Sequence, residues 1–218
     1  MPLHIQPNSK LLMIGDSITD SERAQPVGEG LFGAIGNGYV SLVNSLLQAR
    51  LPEQRVRVVN MGTSGNTVRD LAARWQADVL AQQPDWLSIM IGINDVWRQF
   101  DSPLQTEIHV LIDEYRATLS QLLASTRPRL KGLVLMTPYF IEPNRADPMR
   151  AQMDRYGAVV RELAAAHDAI FVDTQAAFDK ILAHLHPTEL AWDRVHPTQV
   201  GHMVLARAFL EAVGYEWE

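Results

Sequence analysis

The chain contains no cysteine, which excludes disulfide frameworks, thiolate nucleophiles, Cys-type zinc sites and iron–sulfur clusters. Positive charge is scarce: 19 Lys and Arg stand against 25 Asp and Glu, for a net charge of −6. That balance argues against a phosphate-binding surface, no local basic patch supplies one, and no nucleic-acid partner is expected. Long apolar runs are missing as well. The start, Met1-Pro-Leu-His-Ile-Gln-Pro-Asn-Ser-Lys10, has no early positive charge leading into an apolar segment, and the first apolar run, 11–14, is too short for a signal peptide or a membrane span. The expectation is a cytoplasmic protein without a membrane partner. Glycine (13) and proline (12) are sparse among 218 residues that are 47% apolar, which excludes collagen-like, low-complexity and wholly disordered chains. With no linker, repeat or charge block to divide it, the chain reads as one domain over 1–218.

What is present is an alternation. Short apolar runs at 10–14, 55–60, 86–91, 132–137 and 169–173 read as buried strands, each stopping at Gly, Asn, Pro or Asp. Between them lie segments of helical periodicity at 38–49, 67–82, 104–125, 149–167 and 174–184, with a last one at 198–213. Asn66-Thr67 and Asp147-Pro148 suit helix starts, because a side-chain oxygen can satisfy first-turn N–H groups and proline fits the first helical position. Strand and helix in alternation predict a single doubly wound α/β domain, with a parallel five-stranded sheet and helices on both faces. Its reactive residues should gather in loops at the carboxyl ends of the strands.

Three such loops are small, polar and glycine-bearing: Gly15-Asp16-Ser17 after the first strand, Gly62-Thr-Ser-Gly65-Asn66 after the second and Gly92-Ile-Asn94-Asp95 after the third. Ser17 on a tight turn suits a nucleophile, but a serine hydroxyl needs a base, and the base needs an orienting group. Asp193 and His196, three apart before the last helix, offer that pair. Acyl transfer also needs donors for the developing oxyanion, and the backbone N–H groups of Ser17 and Gly65 with the Asn94 amide could supply three. Taken singly, each residue is also ordinary turn or cap chemistry, and Asp193 with His196 could simply cap the last helix. Their conjunction at one sheet edge favours the catalytic reading.

Gly15-Asp16-Ser17, Gly65, Asn94 and Asp193-x-x-His196 resemble, in order, the four blocks of the SGNH or GDSL hydrolases, esterases and lipases on a flavodoxin-like α/β fold. Ile18 stands where the family usually has Leu. Gly65-Asn-Thr-Val-Arg-Asp70, Ser88-Ile-Met-Ile-Gly-Ile-Asn-Asp-Val-Trp-Arg98, Val172-Asp-Thr-Gln-Ala-Ala-Phe178 and Leu190-Ala-Trp-Asp-Arg-Val-His-Pro197 look like the intracellular acetylxylan esterases of bacilli within that family. The resemblance implies Ser17 as nucleophile, His196 as general base and acid, Asp193 as its orienting partner, and Ser17, Gly65 and Asn94 as the oxyanion hole. It further implies a small acetylated xylo-oligosaccharide substrate, an acetyl-enzyme intermediate, no metal or organic cofactor, and a homo-oligomer. Other acyl specificities within the family, such as a lysophospholipase, and a non-catalytic carbohydrate-binding protein remain alternatives.

Several features read as decoys. Gly28-Glu-Gly30-Leu-Phe-Gly33 spells a dinucleotide-binding pattern but follows a polar stretch rather than a strand, so it reads as a flexible loop beside the site. His184 and His186, with Asp193 and His196, could be imagined as a metal set; their place at a helix end beside Pro187 favours capping or surface roles. His4, His109, His167 and His202 lack a carboxylate partner of comparable spacing. Trp97 and Trp192 suit core, interface or an aromatic wall for a sugar ring. Asp16 and Asp95 read as turn residues or supports behind the site. Tyr215-Glu-Trp217-Glu218 hints at docking against a neighbour.

Overall fold

The structure, a computed structural model, describes residues 3–217; Met1, Pro2 and Glu218, which enter the readings of the two chain ends, lie outside them. The five apolar runs form strands β1 (Lys10–Gly15), β2 (Arg57–Asn60), β3 (Trp86–Met90), β4 (Gly132–Met136) and β5 (Ile170–Val172). They make one parallel sheet in the order β2-β1-β3-β4-β5. Both faces of β3 and β4 are buried. That explains why these strands are continuous apolar runs rather than alternating patterns.

Helices α1 (Ser17–Asp20), α2 (Tyr39–Arg50), α3 (Val68–Trp75), α4 (Ile93–Asp101), α5 (Ile112–Thr126), α6 (Pro148–Ala166), α7 (Thr174–Leu182), α8 (Pro187–Leu190) and α9 (Gln199–Ala212) fill the connections. The chain steps outward from β1 to β2, then returns across β1 to β3. Right-handed crossovers in opposite directions place their helices on opposite faces of the sheet. Accordingly α2 packs on α9 and α9 on α7, while α3 packs on α5 and α6 on both α4 and α5. The strand order reverses between β1 and β3, and the residues singled out in the sequence follow the carboxyl ends of the strands there.

The two helix starts expected at Thr67 and Asp147 are as read. Thr67 and Asp70 form a capping box on α3, and the Asp147 side chain accepts from Arg150 N at 2.9 Å. Two expectations need correction. Asn94 does not sit in a loop: Gly92 caps a helix, α4, which begins at Ile93. The helix read over 104–125 starts only at Ile112, after a single 3₁₀ turn at Thr106–Ile108, and the apolar Leu104 and Leu111 that suggested an earlier start face solvent. Helix α3 continues into a five-residue π turn, Gln76–Leu80.

Candidate active site

β1 delivers the chain directly into the site. Asp16, almost fully buried, caps α1 by accepting from Ile18 N at 3.0 Å, and Ser17 is the first residue of that helix. The loop after β2 is bound to α1 from below and above. Asn60 Nδ2 donates to the carbonyls of Thr19 (2.7 Å), Asp20 (3.2 Å) and Ile35 (2.9 Å), while its Oδ1 accepts from Gly62 N at 2.9 Å. Asp20 Oδ2 accepts from both the backbone N–H and the hydroxyl of Ser64, at 3.0 and 2.7 Å. At Gly62 a Cβ would lie 2.1 Å from Asp20 N, so this close approach requires glycine. Gly65 differs: a Cβ there would meet open space, but its φ of +81° is a left-handed conformation that favours glycine.

Asn94, 3% exposed, donates from Nδ2 to the carbonyl of Asn66 at 3.0 Å, which docks α4 against the residue after Gly65. Its neighbour Asp95 accepts from Val68 N at 3.0 Å, tying α4 to the first residue of α3. The backbone N–H groups of Ser17 and Gly65 donate to no protein acceptor among the described residues. Two uncommitted backbone amides and a neutral side-chain amide on neighbouring segments could serve a tetrahedral oxyanion as donors.

The opposite wall is the turn before α9. Ser17 Oγ lies 2.9 Å from His196 Nε2, and His196 Nδ1 lies 2.6 Å from Asp193 Oδ2. Asp193 Oδ1 accepts from Val195 N at 3.0 Å and His196 N at 2.8 Å, so the carboxylate organises the turn that presents its own partner. A bridge between Ala191 and Pro197 closes the turn, and Tyr139 Oη donates to Val195 O at 3.1 Å from beneath. The Asp193 and His196 side chains are 28% and 47% exposed. Trp97 sets its ring edgewise to the His196 imidazole, at 5.8 Å between centroids.

The acidic groups divide by environment. Burial opposes ionisation of Asp193, but the bonds from His196 and from the His196 and Val195 amides outweigh it and hold its pKa below the ordinary carboxylate value. Asp16 and Asp95 lie the other way: burial pushes each up to about 7, despite the bonds that Ile18 N–H and Val68 N–H donate to them. Asp95 Oδ2 is buried with no partner among the described residues. Both act as supports behind the site, as their position in the sequence suggested.

The remaining candidates sort cleanly. His186 Nδ1 accepts from Thr188 N at the start of α8, the capping role expected of it, and His184 is exposed. No cluster of His, Asp and Glu that could hold a metal ion occurs among the described residues. His202 Nδ1 accepts from Tyr39 N at 3.2 Å and so caps α2. Gly28 pairs with Asn60 on the outer edge of β2, through bonds of 3.0 and 2.8 Å, so no phosphate cradle forms there. Trp192 is exposed beside Asp193. Asn60, Asp20 and Arg74, which bind these loops together, carry no sequence signal because their partners are distant in the chain.

Known proteins resemble the chain over nearly its whole length. The GDSL-like lipase/acylhydrolase family matches residues 13–204. An acetylxylan esterase of Geobacillus stearothermophilus is 61% identical over 215 residues, covering 99% of this chain and 98% of the relative. Its crystal structure superposes with a TM-score of 0.98 at 61% identity, over 99% of this chain and 98% of that one. Solved catalytic mutants of that enzyme replace a serine, an aspartate or a histidine by alanine. An α/β hydrolase from the metagenome of Lake Arreo, Spain, is 58% identical with a TM-score of 0.97, over 98% of this chain and 99% of the other. The chain belongs to the GDSL-like lipase/acylhydrolase family.

Proposed function

We propose that the protein is a serine esterase that removes acetyl groups from xylo-oligosaccharides through an acetyl-enzyme on Ser17. The observation that carries this reading is the unbroken relay from Ser17 Oγ to His196 Nε2 (2.9 Å) and from His196 Nδ1 to Asp193 Oδ2 (2.6 Å), facing two free backbone donors. With the Nδ1 proton donated to Asp193, Nε2 keeps its lone pair for the serine hydroxyl. Ser17 Oγ attacks the acetyl carbonyl carbon and passes its proton to His196. The carbonyl oxygen becomes an oxyanion held by the N–H groups of Ser17 and Gly65 and by Asn94 Nδ2. Collapse of the adduct expels the sugar alkoxide, which takes the proton from His196. Water then repeats the sequence on the acetyl-enzyme, releasing acetate and restoring Ser17. The acetyl and xylan specificity draws on the activity of the Geobacillus relative.

In Ser17→Ala the rate of 4-nitrophenyl acetate hydrolysis is expected to fall by at least about 10⁴-fold with an unchanged melting temperature. Retention of rate overturns the mechanism. A series of longer acyl esters tests the specificity: a steep decline beyond acetyl supports it, and a rise with chain length overturns it. We further propose a cytoplasmic homo-oligomer, supported by the family resemblance and by the exposed Phe32, Trp192 and Trp217, with light scattering in solution as its test. No described helix is long and apolar enough to cross a membrane.

A further inference from the structure

We infer that Arg74 is the positioning residue of the oxyanion hole, its guanidinium holding in register the three segments that carry Ser17, Gly65 and Asn94. The inference rests on the esterase reading above. Nη2 donates to the carbonyl of Gly15 at 2.8 Å, Nη1 to that of Met61 at 2.7 Å, and Nε to Asn66 Oδ1 at 2.6 Å. Gly15 ends β1, two residues before Ser17; Met61 opens the loop leading to Gly65; Asn66 follows Gly65. The backbone carbonyl of Asn66 in turn accepts from Asn94 Nδ2, so the same cation reaches the third donor through one residue.

The side chain is suited to this and to little else. A planar guanidinium sends donors in diverging directions, whereas a lysine ammonium offers its donors from a single atom and cannot span acceptors on separate segments. Asp78, within the π turn, accepts from Nη1 at 2.7 Å and aims the fork; the two side chains are only 16% and 22% exposed. Bonds from a largely desolvated cation are stronger than neutral ones. Gly15, Met61 and Asn66 lie 59, 13 and 8 residues from Arg74 along the chain, so the contacts register loops against one another rather than secure α3.

Oxyanion donors act in the transition state, so their misplacement lowers kcat and spares KM. The experiment measures kcat and KM of Arg74→Ala and Arg74→Lys on 4-nitrophenyl acetate, with circular dichroism melts and with Ser17→Ala in the same assay. The expected result is a kcat about 100-fold lower in Arg74→Ala with the fold retained, lysine failing to restore it. Millimolar guanidinium should raise kcat of Arg74→Ala and leave the native enzyme unchanged. If Arg74→Ala does not fold, Asn66→Leu removes only the Nε bond and should show a smaller loss, also confined to kcat. A folded Arg74→Ala, or in its place Asn66→Leu, with kcat within about threefold of native, or with its loss in KM, overturns the inference. An active Ser17→Ala would instead overturn the serine reading itself; an inactive Ser17→Ala beside an unimpaired Arg74→Ala sinks only the role of Arg74.

Discussion

The two walls of the site are built on opposite plans. The Ser17 wall is anchored on buried residues, Asp16, Asn60 and Asn94, and its geometry depends on side chains that reach across the chain: Asn60 to Thr19, Ser64 to Asp20, Asn94 to Asn66. The His196 wall stands at the rim, half exposed, and the bonds that aim its imidazole lie within four consecutive residues. In the proposed mechanism, the side that meets a developing charge is thus held by the sheet and its crossovers. The side that would exchange protons in that mechanism is held locally and open to solvent.

That contrast can be broken in graded steps. The largest effect belongs to the exposed wall. Asp193→Asn keeps the shape of the turn but favours the wrong imidazole tautomer, and hydrolysis of 4-nitrophenyl acetate should slow about 10⁴-fold with little change in melting temperature. A comparable loss of stability would show that the turn, not the tautomer, had failed. On the Ser17 wall, Asn94→Ala leaves two backbone donors and should cost about 10²- to 10³-fold in kcat, or about 3–4 kcal/mol. A loss as large as that of Ser17→Ala would mean that the donors do not act separately.

Stability should divide the molecule differently. Burial, together with the charge of His196, pulls His202 down to about 4, well under the value of about 6.5 for a free imidazole. The unfolded chain therefore binds the extra proton between those values, and stability is complete above about pH 6.5 and drains away as the pH falls toward 4, by about 3 kcal/mol. Asp16 and Asp95, raised to about 7, act in the opposite sense, because the fold keeps their protons as the pH rises from the ordinary carboxylate value. The difference between native and His202→Asn melting curves over pH 4.5 to 7 isolates the histidine; parallel curves would contradict its role as the cap of α2. The smallest effect contrasts the two glycines of one loop. Gly62→Ala drives a methyl into Asp20 N and should destabilise by about 1–3 kcal/mol, whereas Gly65→Ala meets only the left-handed backbone penalty of about 1–2 kcal/mol. Chemical denaturation distinguishes them.

The same contrast explains what could be read from the sequence. Strands buried on both faces announce themselves as short apolar runs, so all five were legible within two residues. The Asp193 and His196 pair was legible because its members are three apart. Asn94 reads as a loop residue in the sequence, since Gly92 gives no side-chain cap to mark where α4 begins. Helix α5 was read eight residues too early because Leu104 continues its periodicity although it is exposed. The reach of Arg74 to Gly15, and of Asn60 to Thr19, could not be seen at all, for no local pattern encodes a bond to a carbonyl tens of residues away.

The bridge between Ala191 and Pro197 has one more implication. A ring of chain that closes on itself and carries its own acid behaves as a prefabricated cassette: the mostly exposed link 183–186 between α7 and α8 can lengthen through evolution without re-aiming the acid or the imidazole.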